Sequence, residues 1–216
     1  MVKGVIFDMD GLMFDTERMW GRMWAPACKA LGLQPPPREL VESSRGLAGQ
    51  NLVNNVERFY PGYGRKMLDT VWELAGDEFR KGVPVKPGLI ELLDWLEAHN
   101  IPRVVASSSL RSMIECNLRT TGTAKYFRHI VSGAEVKYSK PHPETFLLAA
   151  AAMELPPQDC LVLEDSYNGV RAGHAAGCVT VMVPDLLPPT DEMKTLYTAC
   201  CTDLFQVRDM LERGAL

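Results

Sequence analysis

The chain of 216 residues carries 23 basic and 27 acidic residues, a formal net charge of −4, with 46% hydrophobic and 23% charged residues. Such a composition belongs to a folded globular protein and excludes general disorder. With no basic block or stripe and no apolar run near the ~18 residues of a membrane span, neither a nucleic-acid partner nor a membrane is expected.

A soluble, cytoplasmic monomer is the expectation, of a length suited to one compact body with or without a smaller one inserted. Cys28, Cys116, Cys160, Cys178, Cys200 and Cys201 show no C-x-x-C spacing, and most lie in apolar runs. They read as small, reduced, buried residues rather than a metal or disulfide set. The adjacent pair Cys200-Cys201 leaves a redox role open.

Along the chain, Val2–Phe7 is apolar on both faces, as a buried parallel strand should be. Residues 16–82 then hold no convincing strand. Met19, Trp20, Met23, Trp24, Ala27 and Leu31 share one helical face, although Pro26 should kink that helix. Leu52, Val53 and Val56 suggest a short helix, and Met67, Leu68, Val71, Trp72, Ala75 and Phe79 a longer one. Pro35-Pro36-Pro37 is a rigid turn.

Beyond residue 82, strand and helix signals alternate. Pro87-Gly88 opens a helix striped by Leu89, Leu92, Leu93 and Leu96, and Arg103–Ala106 is a strand. Leu110, Met113, Ile114 and Leu118 mark a helix closed by Gly122. His129–Val131 is a weaker strand, and Pro143 sits at the first turn of the next helix. Cys160–Leu163, Val179–Val183 and, less clearly, Ala199–Thr202 are further strands. Between the first two of these, Gly169, Ala172, Gly173 and Ala176 allow a helix to pack closely, and Gly177 ends it. Asp203 caps a last helix through about Arg213. This alternation predicts an α/β fold, a parallel sheet with helices on both faces. Residues 1–15 and 83–216 form that body and 16–82 an inserted helical domain. The crossings at Gly11 to Asp15 and at Gly82-Val83-Pro84 suggest a hinge.

The chemistry-bearing residues fall at strand ends, where open parallel sheets bind ligands. Asp8-Met9-Asp10-Gly11 follows the first strand; it reads either as an ordinary acidic turn or as two carboxylates kept together by a cation or a division of labour. Glu164-Asp165 follows Cys160–Leu163, either complementing a helix dipole or supplying hard oxygen ligands for Mg²⁺. Ser107-Ser108-Ser109 fits a helix N-cap as well as a phosphate cradle. Lys140 stands in a Pro-stiffened loop, solvated or functional, and His142 reads as a loop or cap residue. Together these groups are the equipment for phosphoryl transfer through an aspartyl phosphate, with Mg²⁺ and Lys140 offsetting the repulsion between carboxylate and phosphate.

In order along the chain, FDMDGLMFDTE, VVASSS, SKPHPETF and LVLEDSYNGVRAGHAAG resemble the motifs of the haloacid dehalogenase-like hydrolase superfamily, in its β-phosphoglucomutase-like phosphatase branch. The resemblance covers essentially the whole chain. It implies a Rossmann-like core and a helical cap domain inserted after the first motif. It also implies Asp8 as the phosphorylated nucleophile and Asp10 as general acid/base, with the Asp10 carbonyl a Mg²⁺ ligand beside Asp8. Ser107 and the amide of Ser108 are implied as phosphate binders, Lys140 as the screening cation, and Asp165 as a metal ligand with Glu164 binding directly or through water. Asp15, Thr16 and Glu17 match the hinge into the cap.

Two departures bear on substrate. Trp20 stands where the mutase has a cap histidine, and Gly49 where it has a phosphate-gripping arginine, for which Arg45 offers a substitute from another place. The expectation is therefore a Mg²⁺-dependent phosphatase of a small phosphorylated metabolite, a sugar phosphate foremost, ahead of a β-phosphoglucomutase. Arg45 to Asn51, Trp20 and Trp24 are candidates for the substrate-facing cap surface, plain cap core being the readier single reading of the tryptophans. A phosphonate hydrolase would need a cap lysine; Lys29 and Lys66 are available, neither in a context that places it at the site. A dehalogenase would not need Glu164-Asp165. In a phosphoaspartate signalling switch of the receiver type the acidic pair comes first and the phosphoacceptor later, the reverse of the order here.

Overall fold

A computed structural model describes residues 2–216 except Gly46 and Ala48, and the side chains among them except that of Asp77. Six parallel strands form one sheet in the order β3-β2-β1-β4-β5-β6. They are β1 Gly4–Phe7, β2 Arg103–Ser107, β3 His129–Ser132, β4 Cys160–Glu164, β5 Val179–Met182 and β6 Ala199–Cys200. Every residue of β1, β2 and β4 is buried, the pattern of strands covered on both faces.

The period of two separates the side chains into two packing layers. Val5, Phe7, Leu161 and Leu163 meet one layer, with Leu89, Leu92, Leu93 and Leu96 of α5 Leu89–Ala98 and Leu204 and Val207 of α10 Leu204–Glu212. Ile6, Val104, Ala106 and Val162 meet the other, with Phe146, Ala149 and Ala150 of α7 Glu144–Ala152 and Ala172 of α8 Tyr167–Ala175. Each large apolar side chain so enclosed contributes about 1.5–3 kcal/mol. α6 Arg111–Thr120 and the short α9 Asp191–Leu196 complete this part. Asp203 caps α10 as the sequence predicts, its carboxylate accepting from the Gln206 amide at 2.9 Å.

Residues 16–80 hold four helices and no strand among those described: α1 Thr16–Ala30, α2 Arg38–Ser43, α3 Gly49–Phe59 and α4 Gly64–Arg80. They enclose their own apolar cluster, in which Trp24, Ala27, Leu40, Val56, Met67 and Leu68 are buried. Two features here go beyond the sequence reading. α1 runs on through Pro26. Arg22, Ala25 and Pro26 are exposed, so water meets the carbonyl that loses its partner, while buried Trp24, Ala27 and Cys28 hold the helix on either side. α2, with Leu40 alone buried, is too short to show a period.

The two connections to the sheet run side by side. Phe14 and Val85 form an antiparallel bridge, with Asp15 N donating to Pro84 O and Lys86 N to Met13 O, both at 2.9 Å. All six cysteines are free; Cys200 is exposed and Cys116 half-buried, the other four buried. No described helix is long and apolar enough to cross a membrane.

Candidate active site

The strand order places its switch point between β1 and β4, where neighbouring connections leave in opposite directions and open a crevice beyond the carboxyl ends. The register pairs Phe7 with both Val105 and Leu163. Asp8, Ala106 and Glu164 therefore stand abreast at that edge, and the Asp8 amide donates to Leu163 O at 3.0 Å. Sequence-predicted residues from four separate segments meet here.

Lys140 is the hub. Its Nζ donates to Asp8 Oδ1 at 2.6 Å, Glu164 Oε1 at 2.7 Å and the Ala106 carbonyl at 3.2 Å. It also lies 4.5 Å from the centroid of the Phe146 ring. Burial alone would depress this ammonium; the carboxylates of Asp8 and Glu164 overcome that and hold its pKa above the ordinary lysine value. The remaining Glu164 oxygen accepts from the Ser166 amide and hydroxyl at 2.8 and 2.9 Å. A side chain at position 169 would collide with the Glu164 carboxylate, which is why glycine stands there.

Asp165 has no such support. It is buried, and among the described residues no group donates a hydrogen bond to its carboxylate. One carboxylate oxygen from each of Asp8, Glu164 and Asp165 lies within 4.8 Å of the others. Burial, then the charges of Glu164 and Asp8, push the Asp165 pKa well above the usual range. Asp8 is pushed the same way by burial, against the pull of Lys140. One ammonium thus faces three clustered carboxylates. Gly11, at φ +82°, closes the turn above, where any Cβ would strike the Asp165 carboxylate.

Asp10 is held differently, by hydroxyls rather than a cation. Thr16 Oγ1 donates to Oδ1 at 2.7 Å, and Ser109 and Ser107 donate to Oδ2 at 2.7 and 3.3 Å. Ser107 Oγ in turn accepts from the Ser109 amide at 3.0 Å. Ser108 lines the cavity above.

That cavity, about 770 Å³, lies between the sheet edge and the helical segment. Asp8, Asp10, Ser107, Ser108, Lys140, Glu164 and Asp165 all line its floor, and Trp20, Trp24, Arg45, Leu47 and Gly49 are among its other walls. Of the predicted loop Arg45 to Asn51, Gly46 and Ala48 lie outside the described residues, and Gln50 and Asn51 are exposed and do not line the cavity. Trp20 and Trp24 belong both to the helical core and to the cavity wall. His142 stays away from the site, its ring tilted against that of Tyr138 and its Nδ1 accepting from the Glu144 amide at 3.3 Å. Met13 is plain core.

Sequence reasoning placed Ser109 in the hydroxyl run but not on Asp10, took Thr16 and Glu17 no further than the hinge, and did not single out Asp185. Ser109 was legible as the third hydroxyl of the run, two residues past Ser107. Asp185 follows β5 as Glu164-Asp165 follow β4, so the strand-end rule would have found it. Its Oδ1 accepts from Lys86 Nζ at 2.8 Å and Arg18 Nη1 at 2.9 Å, while Oδ2 is buried without a hydrogen-bond partner among the described residues. Arg18 also reaches Asp15 at 2.7 Å.

Glu17 lines the cavity, and burial, then the charges of Asp10 and Asp185, raise its pKa to about 7. A carboxyl raised in this way binds more protons folded than unfolded between its ordinary value and about 7, so its contribution to stability falls as pH rises through that window. Glu17→Gln is expected to flatten that decline, gaining on the order of 1–3 kcal/mol above pH 7. Denaturant melts at pH 5 and pH 8 test this; an equal effect of the substitution at both would show that Glu17 does not titrate in the window.

Comparison with known proteins places the chain in a family. A sequence model of haloacid dehalogenase-like hydrolases matches residues 5–183. The probable pseudouridine-5′-phosphatase of Drosophila melanogaster is 35% identical over 207 residues, covering 89% of this chain and 85% of that protein. Hexitol phosphatase B of Escherichia coli K12 is 30% identical over 186 residues, covering 85% and 84%. Among solved structures, β-phosphoglucomutase from Clostridium difficile superposes with a TM-score of 0.82 at 22% identity, covering 99% of this chain and 96% of that one. CbbY from Rhodobacter sphaeroides in complex with phosphate does so with 0.83 at 23%, covering 96% of each. At these identities the two structures speak for the fold.

Proposed function

The chain belongs to the haloacid dehalogenase-like hydrolase family and is a phosphoric monoester hydrolase, and from that premise we propose that it cleaves a small phosphorylated metabolite through an aspartyl phosphate on Asp8, with Mg²⁺. Residues 1–15 and 83–216 act as the catalytic core and 16–82 as the cap. The observation that carries this reading is Lys140 bound at once to Asp8 and Glu164 beneath a cavity at the switch point.

Lys140 occupies Asp8 Oδ1, which leaves Oδ2 to attack phosphorus. As the Oδ2–P bond forms, the bond from phosphorus to the ester oxygen breaks, and Asp10 gives that oxygen its proton. Asp10 then takes a proton from water, whose oxygen attacks phosphorus; the Asp8–P bond breaks and inorganic phosphate leaves. Ser107 Oγ, the Ser108 amide and Lys140 hold the phosphoryl oxygens. The hydrogen bonds from Thr16, Ser107 and Ser109 orient Asp10 for both transfers.

The donor set fits a hard cation. Asp8 and Asp165 offer carboxylate oxygens, the second without a hydrogen-bond donor among the described residues, and the surplus negative charge is what a divalent ion would compensate. Asp8, the Asp10 carbonyl and Asp165 would hold Mg²⁺, with Glu164 adjoining; when bound, the ion offsets charge on the transferring phosphoryl group. Without metal, Asp165→Asn is expected to raise Tm by about 2–4 °C, since it removes one of the crowded charges at a gain of about 1 kcal/mol. The same substitution should abolish the rise in Tm that Mg²⁺ gives the parent protein. A rise that persists in the variant would remove Asp165 from the ligand set.

Hydrolysis is favoured over the mutase reaction by two relatives that carry phosphatase names, and by Trp20 where the mutase has a cap histidine and Gly49 where it has a phosphate-gripping arginine. Phosphate release from a panel of sugar phosphates, nucleotides and p-nitrophenyl phosphate, with Mg²⁺ and with EDTA, tests the proposal. Release that Mg²⁺ sustains and EDTA abolishes is expected. Glucose 6-phosphate formed from β-glucose 1-phosphate faster than phosphate is released would replace it with the mutase.

A further inference from the structure

We infer that the alcohol half of the substrate carries a planar, weakly polar ring, seated against the Trp20 side of the cavity; this rests on the phosphatase reading above and narrows its substrate class. At about 770 Å³ the cavity is large for a phosphate group with a short polyol attached. Spaces of about 300–1,000 Å³ lined by apolar side chains with a few polar groups are typical of sites that enclose a whole small molecule.

The two ends of the cavity differ in chemistry. The floor is ionic, built from Asp8, Asp10, Lys140, Glu164 and Asp165. On the helical side, apolar side chains outnumber polar ones, with Trp20, Trp24, Leu52, Leu68 and Val71 among them. Trp24, Leu68 and Val71 are otherwise almost wholly buried, so the cavity reaches the apolar core of that segment. Trp20 is backed by Phe79, ring centroids 4.8 Å apart. It is thereby positioned as a platform whose ordering is complete before a ligand arrives.

A polyol or hexose carries a hydroxyl on nearly every carbon. Pressed against the stretch formed by Trp20, Trp24, Leu52, Leu68 and Val71, hydroxyls would lose water without gaining a partner there, an unfavourable exchange. A flat heterocycle presents two apolar faces and confines its polar atoms to the rim, where Glu17 and Arg45, both on the cavity wall, are within the same space. Stacking on tryptophan tolerates many ring types, so the class is assigned and not the individual base.

Uridine 5′-monophosphate and sorbitol 6-phosphate are both primary alkyl phosphates, so their intrinsic reactivity is matched and the cavity decides between them. The expected result is a kcat/KM at least about tenfold higher for the nucleotide. Trp20→Ala should cut that preference about tenfold, and Trp20→Phe, which keeps a ring against Phe79, should keep it within about threefold. Equal or better use of sorbitol 6-phosphate by the parent enzyme would overturn the inference and leave the phosphatase reading standing. Titration of both compounds into Asp8→Asn separates the two ideas further. Tighter binding of the nucleotide with neither compound hydrolysed by the parent would sink the proposed reaction while upholding the ring site; no preference in binding or turnover would overturn the ring site.

Discussion

Replacing Asp8 by Asn is expected to lower phosphate release by at least about 10⁴-fold while the protein remains folded, because the amide is close in shape and lacks the nucleophilic oxygen pair. Lys140 keeps Glu164 as a partner at 2.7 Å in that variant, so its buried charge is not stranded. The removed carboxylate is one whose charged form burial disfavours. Single-turnover assays together with circular dichroism and a thermal melt read both halves of the prediction. Turnover within tenfold of the parent, in a folded variant, would move the nucleophile away from Asp8. Acid-quenched digests of the parent enzyme, caught during turnover, should carry the phosphoryl group on the peptide containing Asp8 and on no other.

The largest effect on stability is expected at Lys140. Lys140→Met leaves two nearly inaccessible carboxylates, Asp8 and Glu164, without the cation that each touches. Breaking a buried pair by removing one partner costs about 3–5 kcal/mol. Since the folded ammonium has a pKa above the ordinary lysine value, its contribution is fully present at neutral pH and is lost only as pH rises through that raised value. Denaturant midpoints for parent and variant at pH 7 measure the difference. At pH 4 the gap should narrow, because Asp8, whose pKa burial raises, protonates and no longer needs the cation. Equal midpoints at pH 7 would mean that the ion pairs contribute nothing net. Phosphate release by Lys140→Met should fall with stability, since the same ammonium screens the attack.

Much of this could be read before any coordinates. Val5-Ile6-Phe7 is apolar on both faces, and only a strand inside a doubly covered sheet needs that. Once strand and helix signals alternate, Asp8, Ser107 and Glu164 must all emerge at one edge. What stayed hidden was set by packing between segments far apart in sequence. The raised pKa of Glu17 depends on burial and on the charges of Asp10 and Asp185, none of which a DTE motif reveals. The hydroxyl clamp on Asp10 joins Thr16 to Ser109, from opposite sides of the inserted helices. That α1 continues past Pro26 was equally hidden, because the anchoring of that helix by Trp24, Ala27 and Cys28 is a matter of packing. α2 escaped because six residues span less than two turns.

Asp185 binds Arg18, at the start of the first inserted helix, and Lys86, just past the return of the chain to the sheet, while belonging itself to neither connection. Its carboxylate is therefore a seam shared by both halves. A recombinant in which residues 16–82 are exchanged for those of a relative inherits half of that seam. Unless the incoming segment brings a cation at position 18, the chimaera leaves Asp185 with Lys86 alone, and the sheet-side residue and the helical segment are best transplanted together as a matched set.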